Sequence, residues 1–237
     1  MPRLFTRCGL PVEGRVLARR GWAGEIVAIL SLLPERGSSG DSEGNPTMLL
    51  SEVEYLDIGR RIVPLLGSAL SGPSAQALRE LARAYDPGAD DSRISAEVFL
   101  FHKYLLMQAC VGVFPESHVD HIVGGLFAAL NERASGLELG PDRQQAMETV
   151  WQQRAGQFDQ PFSQDRGLFL DEGAGPAHWQ KTIGQFCQNV RAMECPPDLW
   201  AGNDGPSYLA SHSVTIALDQ MLVALGEIYR LHFQEEP

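Results

Sequence analysis

Residues 98–114 read VFLFHKYLLMQACVGVF, and only His102, Lys103 and Gln108 in that run are strongly polar. The run is too long for a strand and has no alternation, so it reads as a helix that is apolar nearly all round. Such a helix belongs in the middle of a helical protein. It falls short of a bilayer span and carries a His-Lys pair at mid-length, which argues against a membrane helix. Pro115 ends it.

Helical spacing continues on both sides. On the N-terminal side, a helix is expected over about 48–70. Ser51 and Glu54 sit at capping-box spacing, and Val53, Leu56, Ile62, Val63, Leu66 and Leu70 form the expected core face. Pro64 should kink or break it. After Ser71-Gly72-Pro73, Leu78, Leu81, Ala82 and Tyr85 recur at helical spacing. Past Pro115, Val119, Ile122, Val123, Leu126, Phe127 and Leu130 form a core stripe to about Ala134. Ser117, His121, Gly124, Gly125 and Ala128 form a face of small residues, fit for an internal helix contact or a homodimer seam.

Pro141 opens a further helix, with Met147, Val150, Trp151, Ala155 and Phe158 expected inward. A loop is expected over 161–175, with a short extended piece at 168–170. Pro176 then opens a helix with Trp179, Ile183, Phe186, Cys187, Val190 and Met193 inside. After a loop at 195–206, the last helix covers about 207–233. Its Val214, Leu218, Met221, Leu225, Ile228 and His232 alternate spacings of four and three, as a bundle seam does. The fold class is therefore all-α: a single multi-helix domain of six or seven helices, orthogonal or bundle-like, around a very apolar central helix.

That domain is expected over residues 48–237. Residues 1–47 read as a peripheral or disordered N-terminal segment. It has an Arg-rich start, an apolar stretch from Ile26 to Leu33, and a Gly/Ser-rich linker from Pro34 to Pro46.

With 237 residues, 44% hydrophobic and 21% charged, the chain can bury a core, and wholesale disorder is not expected. A net charge of −11 opposes nucleic-acid binding, since phosphate backbones repel an acidic surface. Basic residues are 17 Arg and only 2 Lys, Lys103 and Lys181, a bias that suits a GC-rich, bacterial source. The four cysteines form no C-x-x-C pair, and Cys110 and Cys187 fall on apolar faces. The expected location is the reducing cytoplasm.

No P-loop, zincin, hydrolase or kinase motif is present. The acids at Asp86, Asp90 and Asp91 lack EF-hand spacing. The Gly-containing stretch 167–178 lacks the third glycine and the βαβ surroundings of a dinucleotide site. What remains is a set of candidates. His118 and His121, three apart on one helix, are half a divalent-metal site, with Glu116 and Asp120 beside them. Both are expected on the wet side of the helix. His102 and Lys103 cannot share one solvent stripe with Glu97, Tyr104 and Gln108, so at least one needs an internal partner. His212, Thr215 and Asp219 share one side of the last helix, the raw material of a His–acid pair or simply its solvated face. Trp151, Trp179 and Trp200 are candidate walls of a small-molecule pocket.

The leading expectation is a binding or protein–protein interaction module, as a homodimer or with another protein partner, and with neither nucleic acid nor membrane. The rival is a metal-dependent or His/acid enzyme built on His102, His118 and His121.

Overall fold

In the computed structural model, the structure describes residues 49–135, 141–169, 179–191 and 205–234. The expectations for 1–47, for most of the Gly-containing stretch, for Met193 and for Trp200 lie outside the described residues. All described residues belong to the compact unit Thr47–Pro237.

Among them are seven helices and no strand: α1 (Glu52–Ser71), α2 (Pro73–Tyr85), α3 (Asp91–Val113), α4 (Glu116–Ser135), α5 (Pro141–Phe169), α6 (Gln180–Arg191) and α7 (Gly205–Phe233). The fold is all-α. Helix α3, which contains the 98–114 run, packs against each of the other six. Val98, Phe101, Tyr104, Leu105, Leu106 and Cys110 on it are all fully buried. A helix without a polar face finds partners on every side, as its composition requires.

Local signals explain the helix ends. Ser51 caps α1, and its backbone N–H donates to Glu54 Oε2 at 2.8 Å, completing the capping box. The cap sets the start at Glu52 rather than near 48. Asp90 caps α3 by accepting from Ser92 N–H. Asp86 accepts from Gly88 N–H, and Asp91 pairs with Arg83 at 3.0 Å, so all three loop acids serve local structure.

Three expectations need correction. Pro64 does not break α1, which runs on to Ser71. Pro64 and Arg60, whose carbonyl loses its partner, both lie on the solvent side, where water can take over that hydrogen bond. Val53, expected inside, is 66% exposed, because the buried face is Tyr55, Ile58, Gly59, Ile62, Val63 and Leu66. The loop expected from 161 is helical as far as Phe169. The inward stripe of α5 continues past Pro161 as Trp151, Phe158, Phe162 and Asp165, all buried, while Met147 and Val150 turn outward. Burial of Phe162 against Tyr104 and Trp179 outweighs the one hydrogen bond the proline removes.

Helices α1 and α4 form the most intimate pair. A Cβ on Gly59 would collide with the Gly125 carbonyl, and one on Gly125 with the Tyr55 carbonyl, so the two backbones touch. The small-residue face of α4 is thus used internally at Gly125, while Ser117, Gly124 and Ala128 remain exposed. Arg60 closes the rim of the crossing with two hydrogen bonds to Glu132, at 3.0 and 2.9 Å.

Candidate functional site

The polar candidates divide by where the helices carry them. His102 is wholly buried. Its Nδ1 lies 2.8 Å from the Val98 carbonyl, to which it donates, and its Nε2 accepts from the Ser74 hydroxyl at 3.0 Å. In the neutral form that burial favours, these two bonds satisfy both ring nitrogens. Burial, with the Arg79 charge in support, pushes its pKa down to about 4, against the Val98 hydrogen bond. His102 is a neutral strut between α2 and α3.

Lys103, next in sequence, points elsewhere. Its Nζ stands 4.0 Å from the centre of the Trp151 ring and 4.4 Å from that of Phe127. Helices α3, α4 and α5 meet there, and Phe127 and Trp151 pack edge to face at 5.6 Å. Lys103 is half-buried, and among the described residues no carboxylate lies within ion-pair distance of it. Burial pulls its pKa down to about 8, with Glu148 opposing from a distance.

His118 corrects the expectation that it faces water. It is 1% exposed, at the start of α4, because α1 covers that side of the helix. The Tyr55 hydroxyl lies 2.7 Å from its Nδ1, and Phe233 packs on the ring at 4.8 Å between centres. Its Nε2 is buried with no hydrogen-bond partner among the described residues. Burial lowers its pKa, with His121 adding to the effect. His121 is exposed and stacks on the other part of Tyr55, with ring centres 4.9 Å apart. The two histidines therefore share a tyrosine rather than an open coordination sphere.

His102 takes its partners from α2 and its own helix, His118 from α1, so His102, His118 and His121 do not gather into one site. No group of three His, Cys, Asp or Glu side chains among the described residues is placed to hold a metal ion. His212 and Asp219 both face solvent on α7. Burial of the Asp219 surroundings raises its pKa. Thr215, between them, accepts from Trp179 Nε1 at 3.0 Å and donates to the Ser211 carbonyl. Trp151 and Trp179 have separate neighbourhoods: Trp151 with Phe127 and Lys103, Trp179 stacked on Phe162 at 5.0 Å. Cys110 and Cys187 are buried, and burial pushes the Cys110 thiol up to about 12, as for an inert core group.

Two polar devices were not anticipated from the sequence. Glu97 and Arg154 form a buried, two-pronged ion pair between α3 and α5, with contacts of 2.7 to 2.9 Å and side chains only 6% and 16% exposed. Asp165, 1% exposed, accepts from the backbone N–H groups of Lys181 and Thr182 and from the Thr182 hydroxyl. It caps α6 from a neighbouring helix, where the helix dipole favours a carboxylate. Both lie on the continuation of the Trp151–Phe158 stripe, the one signal that pointed at them.

The outer side of α7 is left open by the packing of the described residues. Tyr208, Leu209, His212, Ile216, Asp219, Gln220, Val223, Glu227, Arg230 and Leu231 are all exposed. Five of these are large apolar side chains, with Leu209 at 55%, Val223 at 68% and Leu231 at 69% exposure. By length and composition α3 and α7 could each cross a membrane, but α3 is the core helix, enclosed by all the others. The chain matches no protein-family model, no curated protein and no solved structure.

Proposed function

We propose that the protein is a helical interaction module that pairs with a second copy of its own chain through the outer face of α7. The observation that supports this reading is the exposed stripe from Tyr208 to Leu231, which is half apolar and gathers on one helix face five of the nine large apolar side chains exposed among the described residues. An exposed apolar run rimmed by polar residues is the usual mark of an interaction surface.

The stripe is self-complementary. A two-fold axis between Asp219 and Gln220, relating two antiparallel copies of α7, sets Ile216 against Val223 and Tyr208 against Leu231. The same register sets His212 against Glu227 and Asp219 against the Gln220 amide. A closed two-fold pair needs this matching of one patch with itself. The stripe is about 35 Å long at 1.5 Å per residue. One helix face of that length places the pair among the smaller, transient interfaces. The net negative charge and the buried Cys110 thiol are consistent with a cytoplasmic role in which neither nucleic acid nor membrane is the partner.

Sedimentation velocity of the full chain, from low micromolar to several hundred micromolar, tests this. Concentration-dependent dimerisation is expected. The double variant Ile216→Asp/Val223→Asp, at exposed positions, should hold the chain monomeric without lowering its melting temperature. A wild-type chain that stays monomeric throughout, or a dimer indifferent to the double variant, overturns the reading.

A further inference from the structure

We propose that Lys103 is an imine-forming amine, a site that captures small or planar aldehydes and holds the product against Phe127 and Trp151. The geometry has three parts. The amine sits in the corner formed by two aromatic rings, contributed by α4 and α5, that meet edge to face. No carboxylate among the described residues ties it down. It is also half-buried rather than sealed. A lysine kept for structure alone normally ends in an ion pair or in water; this one ends against two aromatic rings.

The chemistry suits the cage. The nitrogen lone pair attacks the aldehyde carbon, the carbinolamine expels water, and R–CHO plus the ammonium give the protonated imine plus H₂O. The single positive charge is retained. That product is a planar cation, and it occupies the space where the rings already favour a cation. Access to the free base is the other requirement. Burial holds the amine near pKa 8, well below an ordinary lysine, so a useful fraction is unprotonated at neutral pH.

The sequence supplies its own control, because Lys181 is the second of only two lysines and is exposed on α6. The full chain is treated with acetaldehyde and sodium cyanoborohydride at pH 7, and reductive alkylation at each lysine is followed by mass spectrometry. Lys103 is expected to react at least about tenfold faster than Lys181, since each unit of lowered pKa multiplies the free amine about tenfold before shielding is counted. The ratio should collapse towards one in urea. Phe127→Leu keeps the apolar volume but removes one π wall, and should slow Lys103 several-fold with Lys181 unchanged. Equal rates at the two lysines in the folded chain, a slower Lys103, or a Phe127→Leu variant with unchanged selectivity would overturn the assignment and leave Lys103 a structural clamp.

Discussion

Gly59 and Gly125 bring two backbones together where α1 crosses α4: the Gly125 carbonyl fills the space a Cβ on Gly59 would need, and the Tyr55 carbonyl the space of one on Gly125. Gly124, one residue away, has nothing within 4 Å of where its Cβ would sit. The pair gives opposite expectations for neighbouring glycines. Gly125→Ala must force the helices apart, lifting Tyr55 away from His118, at a cost of about 3 kcal/mol. Gly124→Ala gains helix propensity on an open surface and should stabilise by up to about 1 kcal/mol. Thermal unfolding of the two variants checks this; equal effects would mean that the crossing is not close-packed.

Glu97 and Arg154 are a hidden dependence of the core. Arg154→Met leaves a buried carboxylate without its counter-charge, and a loss of about 3 to 5 kcal/mol is expected. Glu97→Met/Arg154→Met removes both charges and should recover most of that loss, because desolvation of the pair offsets much of its attraction. Urea midpoints decide. A double variant less stable than the single would show that the pair contributes more than it costs.

These contrasts also show what could be read in advance. Apolar periodicity placed the central helix and most of the seven elements, because a helix buried on all sides has no polar stripe to hide it. The start of α1 was written in Ser51 and Glu54. Pro161 was misleading, because backbone rules are local while the burial of Phe162 and Asp165 is tertiary. His118 was misplaced because α4 is covered on two sides. Its second buried face is marked by Gly125, one heptad on from His118, rather than by large apolar residues. The partners of Glu97 and Lys103 come from α4 and α5, more than twenty residues away, and helical spacing says nothing about which helices meet. The imidazoles were legible as residues but not as neighbours: Tyr55 joins His118 to His121.

His102 sets an acid limit on the fold. Its folded pKa, about 4, lies below the ordinary 6.5, so between those values the unfolded chain holds a proton that the folded chain does not. Stability is therefore complete above about pH 6.5 and falls as the pH drops towards 4. At about 1.4 kcal/mol per pKa unit the loss from His102 is on the order of 3 kcal/mol. His118 and His232, also lowered by burial, act in the same direction. His102→Asn can still donate to the Val98 carbonyl but cannot titrate. The variant should be weaker at pH 7 yet show a distinctly flatter decline between pH 6.5 and 4, read from urea midpoints across that range. Parallel pH profiles for the variant and the parent chain would remove His102 as the source and shift the acid sensitivity to the Tyr55–His118 pair.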